Sequence, residues 1–226
     1  MSKPVLLYSG GIDCFLAHWK INLEDPILVY YNIRTRYAMA EMKFLQEKKV
    51  NVLVDNTFSF GDIEEDTAFV PNRNLHLAMH AACKYSPKVY IGGTASDRVS
   101  DNNKDIMNLL SCITNKSVDR GEEIVITSPF WDTHKCELAQ QYCEDFSPES
   151  LERSTFSCYT PTKEDKECLN CVACFRKSVI LNSIGIFRNT RNRTIVKKYW
   201  MEFKDDEDAE VNPRKKTTLE YVKRIL

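Results

Sequence analysis

Short apolar runs alternate with helix-length amphipathic stretches through the first two thirds of this chain, and that alternation restricts the fold more than any other feature. Residues 4–8, 27–31, 50–54, 89–92 and 124–127 read as strands. Residues 13–20, 38–49, 74–85, 105–112 and 133–142 read as helices, the second with Met39, Met42 and Leu45 at helical spacing. Strands that alternate with helices build βαβ units, hence an α/β domain with a parallel five-stranded sheet and helices on both faces. Ligands of such sheets bind beyond the carboxyl ends of the strands. Two glycine pairs fall at those ends, Gly10-Gly11 after the first strand and Gly92-Gly93 after the fourth. With only seven glycines in 226 residues, these pairs stand out.

From about Phe146 the alternation stops, which divides the chain into residues 1–145 and a C-terminal region, residues 146–226. That region contains Cys158, Cys168, Cys171 and Cys174, separated by gaps of nine, two and two residues. Two-residue gaps let thiolates share one small cation, and four thiolates complete a zinc tetrahedron with no position left for water. The expected role of the metal is therefore structural. Residues 172–184 continue as a helix. The acidic run Asp205-Asp206-Glu207-Asp208-Ala209-Glu210 and the following Pro213-Arg214-Lys215-Lys216 read as solvated surface and loop.

Composition excludes several classes. A hydrophobic content of 43% and a charged content of 28% fit a soluble globular protein. The net charge of −1 gives no bulk electrostatic footprint for nucleic acid or for a membrane surface. No apolar stretch has the length of a membrane span, and the N-terminus has no secretory pattern. Nine cysteines, an odd number, argue against an all-disulfide scheme. A reducing cytoplasm is expected, with Cys83, Cys112, Cys136 and Cys143 as ordinary buried or half-buried thiols.

The first glycine pair lies in Leu6-Leu7-Tyr8-Ser9-Gly10-Gly11-Ile12-Asp13. Glycines after a buried strand allow a sharp turn that exposes backbone N–H groups. A helix starting at Asp13 then presents its positive end to an anion, and Ser9 adds a hydroxyl donor. The loop is neither a Walker A sequence nor a G-x-G-x-x-G fingerprint, and a plain strand-to-helix turn remains the other reading of these residues. It resembles the S-G-G-x-D-S pyrophosphate loop of the ATP pyrophosphatase superfamily. Members adenylate a carbonyl or carboxyl oxygen, release pyrophosphate, and let a nitrogen or sulfur nucleophile displace AMP. Here Cys14 replaces the final Ser, and a thiol is the weaker donor.

The loop and the four cysteines together resemble the QueC family, the 7-cyano-7-deazaguanine synthases, over roughly Val5 to Ile184. Phe69-Val70-Pro71-Asn72-Arg73-Asn74 is similar to the family's F-V-P-G-R-N, with Asn72 in place of Gly. Ile91-Gly92-Gly93-Thr94-Ala95-Ser96-Asp97 sits where the family has I-G-x-x-x-x-D. Thr127-Ser128-Pro129 through His134-Lys135-Cys136-Glu137 is similar to T-P-L…K-A-E, and Ser157-Cys158-Tyr159 with the three later cysteines matches the zinc motif. The resemblance implies an adenine nucleotide alpha hydrolase-like, Rossmann-like fold with a zinc-binding helical region. It also implies a cytoplasmic, ATP-dependent carbon–nitrogen ligase, expected as a homodimer with no nucleic-acid or membrane partner. Such an enzyme adenylates 7-carboxy-7-deazaguanine and adds ammonia to give the nitrile, with ATP, Mg2+ and a structural Zn2+.

Carried over by position, Tyr8, Ser9, Gly10, Gly11, Ile12, Asp13, Cys14 and Gly92 hold ATP. Lys135, Arg73 and Asp13 serve catalysis, Asp97 and Lys104 meet the substrate, and Cys158, Cys168, Cys171 and Cys174 bind zinc. One segment departs from the family. Where the family carries S-G-Y-P-D-C-R on its substrate, this chain has Arg98-Val99-Ser100-Asp101-Asn102-Asn103-Lys104-Asp105. The departure opens a reaction that stops at the amide. Two competing readings are a tRNA-modifying enzyme of the same superfamily, using Arg188, Arg191, Arg193, Lys197 and Lys198, and a zinc-stapled binding protein that has lost catalysis.

Overall fold

All five expected strands form in the computed structural model, which describes residues 2–119 and 121–226. They are β1 (Val5–Leu7), β2 (Ile27–Tyr31), β3 (Leu53–Asp55), β4 (Lys88–Tyr90) and β5 (Val125–Thr127). All pair in parallel, in the order β3-β2-β1-β4-β5. The chain therefore winds outward from β1 through β2 to β3, then returns to place β4 on the other flank of β1. The reversal puts the topological switch point between β1 and β4. The third strand starts later than its apolar run because Val50 is used elsewhere. Its N–H closes the preceding helix by donating to the Leu45 carbonyl at 3.0 Å, after Lys49 takes a left-handed φ of 52°.

Four helices accompany the strands: α1 (Ile12–Ile21), α2 (Ala38–Glu47), α3 (Arg73–Lys84) and α4 (Lys104–Ser117). Strand alternation shows that both faces are covered. Val29 and Tyr31 join a core with Ala78, Ala81 and Ala82 of α3. Tyr30, between them, points the other way, and its hydroxyl donates to the Ala38 carbonyl of α2 at 2.9 Å. The expected apolar face of α2 is corrected in phase. Ala38, Ala40 and Leu45 are buried, while Met39 is 72% exposed. Small alanines pack against the sheet here, and the larger methionine gives the stronger but misleading sequence signal.

The outer edge of β5 is closed by side chains. Asn115 of α4 accepts from the Ile124 N–H at 2.7 Å and donates to the Ile124 carbonyl at 2.8 Å. One turn earlier, Ser111 Oγ accepts from the Ile126 N–H at 2.9 Å. Two helix residues four apart thus occupy the hydrogen-bonding row that a further strand would use, a way of protecting a sheet edge.

The chain forms two compact units, one ending at Asp132 and one beginning at Thr133. The second contains α5 (Lys135–Asp145), α6 (Pro148–Arg153), α7 (Val172–Ser183), α8 (Arg193–Phe203) and α9 (Pro213–Ile225). Although α5 continues the strand–helix alternation in sequence, it packs against α7 and α9, burying Cys136, Leu138, Ala139 and Tyr142. The tail also differs from its expected loop. Pro213 begins α9, the Asn212 side chain accepts from the Arg214 and Lys215 N–H groups, and Thr217, Thr218, Leu219, Tyr221 and Val222 are buried. Proline fits the first helical position because its missing donor is not needed there. Phe175 of α7 stacks on Tyr199 of α8 at 4.9 Å and meets Tyr221 of α9 edge-on at 5.6 Å. Part of the charge run is structural as well, since Asp206 pairs with half-buried Lys215 at 2.8 Å. Among the described residues, no helix is long and apolar enough to cross a membrane.

Candidate functional site

The loop after β1 is shaped by two close backbone approaches. Gly10 has φ +81°, a left-handed conformation that favours glycine, and its open side is walled by Phe44 and Leu45 of α2. At the end of β4, a Cβ on Gly92 would lie 2.9 Å from both the Asp13 carbonyl carbon and the Cys14 nitrogen. Only glycine lets β4 come this near the first turn of α1, and this contact lies at the switch point. No side chain caps the N-terminus of α1 at Gly11. An uncapped first turn offers its N–H donors and positive dipole end to an anion.

The flanking residues serve the loop in different ways. The Cys14 thiol donates to the Gly11 carbonyl at 3.1 Å and lies 3.8 Å from Ser9 Oγ. Burial pushes that thiol up to about 11, so it stays protonated and braces the turn. Tyr8 is buried, with its ring edge-on to His18 at 5.8 Å. Burial raises the Tyr8 phenol above its ordinary range and lowers the His18 imidazole. Ile12 also turns its side chain into the core. The structure thus gathers Ser9, Gly10, Gly11, Asp13, Cys14 and Gly92 around one turn.

Arg73 is the first residue of α3, and its Nη1 donates to the Tyr37 hydroxyl at 2.9 Å. Asn72, which stands where the family has Gly, has φ 54° and ψ 22°. This left-handed cap suits Gly or Asn, so the exchange preserves the backbone path. The divergent segment meets the same helix end. Asp101, 4% exposed, accepts from the Asn74 N–H at 2.9 Å and from Asn74 Nδ2 at 3.0 Å. A buried carboxylate at a helix N-terminus satisfies an orphan donor and favours the dipole. Neither Tyr37 nor Asp101 is visible as a site residue in sequence, because they act across separations of 36 and 27 residues.

The two expected substrate residues hold local structure. Asp97 accepts from the Thr94 N–H at 2.8 Å and from Thr94 Oγ1 at 3.0 Å, closing the turn after β4. Lys104 pairs with Asp132 at 3.2 Å, with both side chains more than half exposed. Lys135 is the first residue of α5, in the second unit. Its helix opens with a capping box in which the His134 N–H donates to Glu137 Oε2 at 2.9 Å.

The four cysteines converge. One sulfur from each lies within 4.8 Å of the others, and the Cys158–Cys171 and Cys168–Cys174 pairs are 3.9 Å apart. Zinc–sulfur bonds of about 2.3 Å place tetrahedral sulfurs about 3.8 Å apart, so the cage fits that ion. Backbone N–H groups converge on the sulfurs. Those of Asn170 and Cys171 reach Cys168 Sγ at 3.3 Å, that of Cys168 reaches Cys158 Sγ at 3.3 Å, and that of Tyr159 reaches Cys171 Sγ at 3.3 Å. Such donors hold negative charge on thiolates, and Leu169, with φ 56°, provides the bend between them. Beside the cage, the Lys177 ammonium is buried between Glu167 Oε1 at 3.0 Å and the Thr155 carbonyl at 2.5 Å. Glu167 also takes Arg188 Nη2 at 2.6 Å and the Ser157 N–H at 2.6 Å. The loop that presents the cysteines is thus pinned to α7 by a half-buried, multiply bonded carboxylate.

Fold and site together define a Rossmann-like α/β protein whose second unit is organised by a four-cysteine metal site. Comparison with family models makes this particular. The model described as "Queuosine biosynthesis protein QueC" matches residues 17–185, more than half of the chain, and the chain belongs to that family. The matched region begins just after the glycine loop and includes Arg73, the divergent segment and all four cysteines. A search among curated proteins found no match.

Proposed function

We propose that this protein is an ATP-dependent ligase that adenylates the carboxylate of 7-carboxy-7-deazaguanine, adds ammonia to form the amide, and with a second ATP activates the amide oxygen so that it leaves with AMP, giving 7-cyano-7-deazaguanine. The family match over residues 17–185 carries this reading, and the loop at the switch point supports it. A carboxylate is a poor electrophile; adenylation gives it a leaving group. Charge in that step develops on phosphate oxygens, so oriented donors and cations do most of the work. Gly10, Gly11 and the first turn of α1 would receive the pyrophosphate end of ATP, with Ser9 as a hydroxyl donor. Asp13 is the carboxylate in that turn for the Mg2+ that accompanies the nucleotide. Arg73, steadied by Tyr37, would offer a planar fork to the substrate carboxylate. Zinc held by the four cysteines would shape its loop without entering the chemistry.

Residues 98–105 favour a second end point. They replace the segment that the family places on the substrate, so the reaction in this chain would stop at the amide. Purified protein supplied with 7-carboxy-7-deazaguanine, ATP, Mg2+ and ammonium separates these outcomes by product mass, with pyrophosphate followed in parallel. A nitrile supports the full synthase, and an amide supports a single activation. No product and no pyrophosphate would overturn the ligase assignment for this substrate. Light scattering of the same preparation tests the proposed homodimer.

A further inference from the structure

Glu41 lies in the first turn of α2. A carboxylate there is ordinarily solvated and ionised, helped by the helix dipole. This one is half-buried. The hydroxyl of Tyr30 of β2, 2% exposed, shares its one proton between the Ala38 carbonyl at 2.9 Å and Glu41 Oε2 at 3.3 Å. Burial pushes Glu41 up to about 8, against the opposing influence of the Arg73 charge and the Tyr30 hydrogen bond. The titratable and charged groups around it are thus Tyr30 from β2, Tyr37 at the start of α2 and Arg73 from α3.

Its position joins it to the loop. Phe44 and Leu45, which wall Gly10, stand three and four residues further along α2. Residues at those spacings share one helix face. Because α2 follows β2 in a parallel sheet, its first turn lies at the carboxyl edge, on the side of the switch-point loop. Glu41 therefore borders both the anion-binding turn and the Arg73–Tyr37 pair. Nothing in the sequence marks it, since a glutamate in an amphipathic helix reads as a solvent-facing residue.

We propose that Glu41 is the proton acceptor for the nitrogen nucleophile in the amidation step. The proposal rests on the ligase reading above. At neutral pH ammonia is mostly ammonium, which has no lone pair to attack with. Transfer of one proton from ammonium to a Glu41 carboxylate oxygen leaves NH3 and a neutral carboxyl group. The nitrogen lone pair then forms the C–N bond at the acyl-adenylate carbon. The bond from that carbon to the AMP oxygen breaks, and its electrons leave with AMP. The extra proton on nitrogen passes to water, giving the amide, and Glu41 returns its own proton to solvent before the next turnover. A carboxylate also attracts the ammonium cation beforehand, and an acceptor that titrates near the working pH suits both halves of this exchange.

The test uses Glu41→Gln in the full chain, because the amide keeps the side-chain shape and an oxygen for Tyr30. Initial rates are measured against ammonium at several pH values, beside ATP–pyrophosphate exchange without ammonium. The wild-type kcat/KM for ammonium is expected to rise with pH and level off above about 8. In E41Q it falls about 100-fold further than exchange does, and what remains tracks free ammonia without levelling off. Tyr30→Phe, which removes a hydrogen bond favouring the ionised form, moves the wild-type limb to higher pH. Equal losses of amidation and exchange in E41Q would assign Glu41 to positioning and overturn the proposal. So would an ammonium kcat/KM within about twofold of wild type, or a limb that Y30F does not move. A wild-type protein with neither exchange nor product overturns the ligase reading itself, and the proposal with it.

Discussion

Gly92→Ala tests whether the loop after β1 is held by β4. The added Cβ would lie 2.9 Å from the Asp13 carbonyl carbon and the Cys14 nitrogen. Both are backbone atoms and no side chain can swing aside, so α1 and β4 must separate by about half an ångström to reach ordinary contact. Overpacking of this kind costs about 1–3 kcal/mol. The same shift moves the first-turn N–H donors relative to the ligand. Hydrogen bonds to a charged group contribute about 1.5–3 kcal/mol each, and losing about 1.4 kcal/mol of that weakens binding tenfold. G92A should therefore lower the unfolding free energy and raise the ATP dissociation constant about tenfold, read by calorimetry at fixed Mg2+. Ala82→Val supplies the comparison. Ala82 of α3 is fully buried in the core, so overpacking there should cost similar stability with ATP affinity kept. The reasoning fails if G92A binds ATP like the wild type, or if A82V weakens ATP equally.

Three further outcomes are expected. Elemental analysis should find one zinc per chain; Cys171→Ser should lose it and melt earlier, because metal-binding energy is folding energy. Full zinc retention in C171S would refute the cage. The double change Ser111→Ala with Asn115→Ala strips the outer row of β5 of its partners, costing about 1–3 kcal/mol for the unsatisfied groups. It should also induce concentration-dependent association in light scattering. Finally, Asp55 is buried, which alone would raise it, but Tyr85, Lys84 at 2.9 Å and the Thr57 N–H at 2.7 Å hold its carboxyl well below the usual range. A lowered folded-state pKa contributes stability above the unfolded value of about 3.9, which is lost as pH falls through the folded one. Asp55→Asn should thus cost about 2 kcal/mol near neutral pH, with the gap to wild type closing in acid denaturation below about pH 4; a pH-independent gap contradicts this.

Features carried by local period or spacing were legible in the sequence. Runs such as Ile27–Tyr31 are strands in both readings, and the cysteine gaps of nine, two and two close into a cage within 4.8 Å. Gly92 stood out beside Gly10 through the scarcity of glycine, although only the fold shows that the two serve one turn. Features that depend on partners far along the chain were not legible. The buried residues of α9 are interspersed with Arg214, Lys215 and Lys216, so the charges dominated the pattern and hid Tyr221, which is fully buried against Phe175. Met39 outweighed the two alanines that set the phase of α2. Glu41 gave no signal because its character comes from Tyr30, on a different element.

The two departures from the family pattern near Arg73 have different physical meanings. Asn72 replaces glycine in a left-handed cap at φ 54°, a position asparagine tolerates, so α3 begins as it would with glycine. The segment at residues 98–105 has changed in chemistry, yet it is tied to the same helix end. Both oxygens of buried Asp101 hold Asn74, the residue after Arg73. A segment drifting without constraint would not keep a buried carboxylate, since one without partners costs several kcal/mol. Through Asp101, residues 98–105 therefore brace the helix end that carries the arginine proposed to meet the substrate carboxylate. This combination weighs against a collapsed site and favours a site whose end product, amide or nitrile, is set by the replaced segment.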